Sequence, residues 1–188
     1  VTEFPTSVAQ LLALYKAGGD AHYGEDVTQM SHALQCAALA QQSGASEALI
    51  AASLLHDVGH LIAEVQGDLR FDYEHDDDDH EALGARVLSP IFGPAVAKPV
   101  ALHVTAKRWR CTVEPDYYDT LSPTSKATLK AQGGLLDEQA CRRFESHPGF
   151  ADAVLLRSFD DAGKALNAEI FDLDHYVSML EALAAANA

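Results

Sequence analysis

Six residues of this chain have the side chains, and stand in the order, needed to hold metal: His32, His56, Asp57, His80, His103 and Asp160. The sharpest signal is the dipeptide His56-Asp57, which ends the apolar run Leu49 to Leu55. Adjacent side chains on a helix diverge by about 100°. His56 can therefore face one ion while Asp57 bridges to a second. His80 heads His80-Glu81-Ala82-Leu83-Gly84-Ala85, where small residues one turn on allow close helix packing; His75 is the alternative ligand here. His103 follows Val100-Ala101-Leu102, at the edge of an apolar segment. Asp160 and Asp161 cannot both ligate from neighbouring helix positions, so Asp160 takes the ligand role and Asp161 a supporting or capping one. Four neutral imidazoles and two carboxylates suit iron, manganese or zinc better than magnesium. A zinc pair at His56 and His60 is a weaker reading, since position 57 holds Asp where the corresponding motif needs Glu. The plainest alternative is a helical protein whose nine histidines carry no chemistry.

The elements that must position these residues read as helices. Apolar positions at helical spacing cover residues 6–17 and stop at Gly18-Gly19. Thr28 caps a second helix running to about Ser43. Ser46 and Glu47 open a third, expected to end at His56-Asp57 and Gly59. Residues 65–79 are polar and acidic and read as a loop or short hairpin. Helices are predicted again over 80–92, about 95–108 with a possible kink at Pro99, 123–132, 137–145, 149–164 and 172–186. Strand alternation is nearly absent. The expectation is an all-α bundle formed as a single domain over residues 1–188, with a buried dinuclear metal site.

Composition narrows the function classes. Hydrophobic content of 48% with 22% charged residues fits a folded globular chain. Thirteen Lys and Arg stand against 28 Asp and Glu, a formal net charge of −15. Such a surface repels nucleic acid and anionic membrane, so neither is an expected partner. An anionic substrate then needs a local basic pocket. Apolar runs of about seven residues are too short to span a bilayer. Residues 1–20 lack the pattern of a signal peptide, and Cys36, Cys111 and Cys141 are widely spaced, which together lead us to expect a cytoplasmic protein with reduced thiols.

The ordered histidines, the His-Asp dipeptide at an apolar helix end and the late Asp160 resemble the HD-domain superfamily. Within it, the chain is similar over nearly its whole length to the diiron oxygenases that cleave the carbon–phosphorus bond of 1-hydroxy-2-aminoethylphosphonates. The upstream His32, the segment Tyr23-Gly24-Glu25-Asp26-Val27-Thr28-Gln29, and His60, Lys107, Ser125 and Arg157 at matching offsets carry that likeness. The resemblance implies two iron ions as a mixed-valent Fe(II)/Fe(III) pair, O2 as co-substrate, and a small zwitterionic hydroxyphosphonate as substrate. It implies catalytic roles for Tyr23, Glu25, His60 and Lys107, with Tyr23 and Glu25 forming a lid that Gly24 allows to swing. It implies substrate binding by Gln29, His60, Lys107, Ser125 and Arg157. The expected reaction is oxidative cleavage of 1-hydroxy-2-(trimethylammonio)ethylphosphonate, or its 2-amino analogue, to glycine betaine or glycine and phosphate. For the cationic tail, Phe71, Tyr73, Trp109, Tyr117 and Tyr118 are the aromatic candidates, with Glu25, Asp26 or the run Asp76 to Asp79 supplying negative field. The alternatives are a phosphohydrolase acting on a nucleotide, which most HD domains resemble, and a non-catalytic signalling or scaffold domain.

Overall fold

Side-chain oxygens of Ser7, Thr28, Ser46, Ser122 and Asp137 each accept a backbone N–H at the first turn of a helix. These caps satisfy donors that no intrahelical partner reaches. The computed structural model describes residues 4–22, 24–65 and 79–188. In chain order they form α1 (Val8–Gly18), α2 (Gln29–Gln42), α3 (Glu47–Leu55), α4 (Val58–Val65), α5 (His80–Phe92), α6 (Pro94–Val113), α7 (Tyr117–Thr120), α8 (Pro123–Ala131), α9 (Glu138–Glu145) and α10 (Phe150–Ala162). A 3-10 turn (Leu173–Tyr176) then leads into α11 (Val177–Ala186). Among the described residues no strand is present, and no helix is long and apolar enough to cross a membrane.

The architecture is an all-α bundle around α3 and α6. Every residue of α3 from Leu49 to Leu55 is buried, as expected for a helix that is apolar on all sides. Around it pack α2, α6, α10 and α11, and α5 lies along α6. Leu11, Leu54, Val58, Leu88, Val100, Leu156 and Leu180 belong to one continuous core, tied through Tyr15, whose hydroxyl donates to the Leu54 carbonyl at 3.0 Å. A smaller cluster of Ala106, Phe144 and Ala153, with Trp109 and Phe150 against it, fastens α9 to α6 and α10.

Two expectations need correction. His56 and Asp57 do not lie inside a helix: they form the turn between α3 and α4, so neither the 100° argument nor a stop at Gly59 applies. Helix resumes at Val58 and runs through Gly59 to Val65. Gly59 is there because of a neighbour: a Cβ at this position would sit 2.1 Å from the His80 carbonyl oxygen. The absence of a side chain lets α4 meet the start of α5 backbone to backbone. Likewise α6 continues through Pro99 to Val113, five residues beyond the expected end.

Candidate metal centre and substrate pocket

Five elements converge to deliver the six ligand candidates. His32 comes from α2, His56 and Asp57 from the α3–α4 turn, His80 from the first position of α5, His103 from the middle of α6 and Asp160 from α10. Asp57 is the hub. Its Oδ1 lies 3.4 Å from His56 Nε2, 3.6 Å from His80 Nε2 and 3.8 Å from His103 Nε2, and its Oδ2 lies 3.7 Å from His32 Nε2. Asp160 closes the other side, at 3.4 Å from His32 Nε2 and 3.9 Å from His56 Nε2. The donors thus fall into two groups sharing Asp57: His32, His56 and Asp160, and His80 with His103.

The far nitrogens fix what the near ones can do. Nδ1 of His32 lies 2.9 Å from the Gly163 carbonyl, Nδ1 of His56 2.9 Å from that of Ser53, and Nδ1 of His103 2.8 Å from that of Val100. Carbonyls only accept, so Nδ1 carries the proton in each ring and a neutral ring presents a bare lone pair at Nε2. Yet His32 and His56 Nε2 are 3.3 Å apart, and His80 and His103 Nε2 are 3.1 Å apart. In the neutral forms of His32 and His56 the two lone pairs face each other beside Asp57 and Asp160, and they repel unless a cation, proton or metal, lies between them. The donor set fits bound metal. Burial, then neighbouring histidines, keep His103 well below the ordinary imidazole range, and burial likewise lowers His56. Burial opposes the charge on Asp57 and Asp160. The surrounding histidines outweigh it for Asp57, and Arg157 with His32 for Asp160, so both carboxyls are held low.

Cys36 was not foreseen at this site. One turn after His32, its Sγ lies 3.8 Å from both ring nitrogens of that residue. The i, i+4 spacing was the available signal. Burial pushes its thiol up, and the proton is donated to the Phe159 carbonyl at 3.5 Å. A protonated thiol so engaged packs beside the cluster, and Asp160 is the better ligand.

Above the cluster lies a pocket of about 90 Å³. Gln29, Glu25, His60, Lys107, Ser125 and Arg157 all line it, as do Thr128, Gln132 and Lys164, which the sequence reading did not single out. The His60 ring stacks on that of His80, with centroids 4.0 Å apart. Lys107 donates to Thr128 Oγ1 at 2.9 Å; burial, then the Arg157 guanidinium, bring its ammonium down to about 7. Arg157 donates from Nη1 to Asp160 at 2.7 Å and from Nε to Asp161 at 2.9 Å. Tyr117 donates to Asp161 at 2.5 Å and accepts from Arg157 Nε at 3.2 Å. Arg110 reaches the same Asp161 at 3.3 Å. The two adjacent aspartates are therefore divided: Asp160 faces the histidines, and Asp161 holds Arg157.

Glu25 is held by its own set of partners. Lys164 donates to its Oε1 at 2.6 Å and Ser122 to the same oxygen at 2.7 Å. Gly24 beside it has φ of 73°, in the left-handed region, and accepts a hydrogen bond from Thr124. Tyr23, His75, Phe71, Tyr73 and Asp76 to Asp78 lie outside the described residues. The other aromatic candidates do not line the pocket. Trp109 packs on Phe144 and Phe150, Tyr117 serves Asp161 and Arg157, and Tyr118 is exposed beside Lys126. Among the described residues, the only aromatic rings on the pocket wall are those of histidines.

Comparison with known proteins agrees with this arrangement. The HD domain family profile matches residues 30–142. The chain is 41% identical over 174 residues to the hydroxymethylphosphonate dioxygenase of Gimesia maris, covering 93% of this chain and 86% of that protein. It is 37% identical over 166 residues to the glycine-betaine-forming [1-hydroxy-2-(trimethylamino)ethyl]phosphonate dioxygenase of Leisingera caerulea, covering 88% and 84%. An uncharacterised protein of Acanthamoeba polyphaga mimivirus is 34% identical over 93% of this chain and 80% of its own length. With the His-Asp turn at the centre of its bundle, this chain belongs to the HD-domain family, in the branch that contains the phosphonate dioxygenases.

Proposed function

We propose that the protein is a diiron oxygenase that uses O2 to cleave the carbon–phosphorus bond of a small 1-hydroxyphosphonate, with hydroxymethylphosphonate as the substrate that fits best. The reaction balances as hydroxymethylphosphonate plus O2 giving formate and phosphate. The observation that carries the reading is the stacking of a two-group donor set beneath a small pocket whose wall holds three cations, Lys107, Arg157 and Lys164. A phosphonate takes charge-assisted donors of this kind. The described lining also holds no aromatic ring other than those of histidines on which a nucleobase could stack. The ammonium of Lys164 already lies on Glu25, the described lining carboxylate outside the proposed metal ligands, and on that ground the reading moves from the tailed substrate expected from sequence to the tailless one.

His32, His56, Asp57, His80, His103 and Asp160 would hold the two irons, which supply O2 activation and Lewis acidity. The protein's own residues bind and orient. Lys107, Ser125 and Arg157 converge on the place for the phosphonate oxygens, and the Asp161–Tyr117 pair fixes the guanidinium plane. His60, pressed on His80, adds a further polar group at the edge of the ligand shell. Iron-loaded protein incubated with hydroxymethylphosphonate should release one phosphate per O2 consumed and none under anaerobic conditions. Equal phosphate release without O2, or hydrolysis of a nucleotide in its place, would move the protein to the hydrolase branch.

A further inference from the structure

We infer that Lys164 is a specificity-determining residue: by neutralising Glu25 it closes the pocket to phosphonates that carry a cationic tail. The inference rests on the phosphonate reading above and names the substrate class within it. Lys164 follows α10, in a stretch of chain pinned on both sides. The Gly163 carbonyl is bound by His32, and the Ala165 amide and carbonyl are both hydrogen-bonded to the Gln35 side chain, at 2.9 and 3.0 Å. The lysine backbone is thereby fixed relative to α2 and to a proposed metal ligand. Its ammonium reaches across to Glu25 at 2.6 Å and to Ser125 at 3.2 Å.

Glu25 is the one carboxylate of the described lining outside the proposed metal ligands. An ammonium tail on a substrate needs such an acceptor. With Lys164 on its Oε1 and Ser122 on the same oxygen, the charge of Glu25 is already neutralised, and the lysine adds positive charge where the tail would lie. The pair is also partly shielded, with side chains 18% and 22% exposed, so water screens it less than a surface pair. A dianionic head with an uncharged remainder gains from Lys164; a head with an ammonium two atoms away loses to it. Specificity here comes from a repulsive element as well as an attractive one.

The test compares two unreactive probes that differ only at the tail, ethylphosphonate and 2-aminoethylphosphonate. Their Kd values are measured by calorimetry on anaerobic, iron-loaded protein. The native chain should prefer ethylphosphonate. Lys164→Met should shift the ratio toward the amino compound by about tenfold, one ammonium–carboxylate contact in a partly dry site. Adding Glu25→Gln should remove that gain, and Lys164→Arg should keep the native preference. Glu25→Gln alone should move the ratio the opposite way, since it leaves Lys164 charged and unopposed. An unchanged ratio in Lys164→Met, a gain that survives the double substitution, or a Glu25→Gln shift toward the amino compound would each overturn the inference; so would native protein that binds neither probe. No turnover is involved, so a failure of carbon–phosphorus cleavage leaves this ratio readable.

Discussion

The floor and the wall of the pocket are built by different means. On the floor, five helices and turns hold the six ligand candidates, and three of the four imidazoles are locked by backbone carbonyls at 2.8–2.9 Å, two of them only three residues away in sequence. On the wall, long side chains from distant segments hold one another: Glu25 to Lys164, Lys107 to Thr128, and Arg157 to Tyr117. Short-range constraints give a rigid, preorganised donor set. Long-range side-chain pairs are easier to exchange without refolding the bundle. The proposed function therefore assigns chemistry to the floor and selectivity to the wall.

Substitutions should separate the two. The largest effect is expected at the hub: Asp57→Ala removes the group shared by both donor sets, and metal analysis should show loss of both ions together with O2 consumption at background. Loss of one ion alone would mean that Asp57 does not bridge. Next comes the floor's backbone support. Gly59→Ala places a methyl against the His80 carbonyl; overpacking of this kind costs about 1–3 kcal/mol, read as a fall in Tm of several degrees and weaker metal retention. A wild-type melting curve would show that the α4–α5 contact yields freely.

Wall substitutions should leave metal content intact. Tyr117→Phe removes the hydroxyl bridging Asp161 and Arg157, and loss of such outer support costs roughly 10–100-fold. The loss should appear as a higher KM with two irons retained, and a change confined to iron content would contradict the assignment. The pH dependence is subtler. Lys107 binds an anion only as ammonium, and with its pKa lowered to about 7 that form is lost as pH rises through this value. The ratio kcat/KM, which reports the free enzyme, should fall above pH 7, and Lys107→Arg should flatten that limb. The smallest effect is expected at Tyr118, half exposed and outside the pocket wall: Tyr118→Ala should change kcat/KM for either hydroxyphosphonate by less than about twofold, in the ±0.5 kcal/mol range of ordinary surface changes.

The same contrast explains what the sequence disclosed. Helices with apolar periodicity and capping residues at Thr28 and Ser46 were legible because their causes are local. So was the ordered set of ligand candidates, since each stands on or beside such an element. The resumption of helix at Val58, through Gly59, was not, because Gly59 answers to a carbonyl of α5 that no local pattern encodes. Lys164 was invisible for a related reason: it follows a helix in irregular chain, and its partner Glu25 is 139 residues away. The choice between Asp160 and Asp161 turns on Tyr117 and Arg110, contributed by α7 and α6. Tyr117 itself was named as an aromatic candidate for the cationic tail, whereas its hydroxyl holds Asp161.

The central claim is that one carboxylate, Asp57, organises two metal positions. Anomalous diffraction at the iron edge from crystals of iron-loaded protein tests it most directly. The account predicts two peaks per chain on either side of Asp57, about 3.5–4 Å apart as in other two-metal sites, with His32, His56 and Asp160 around one and His80 and His103 around the other. A single peak, with His32 uncoordinated, would contradict it.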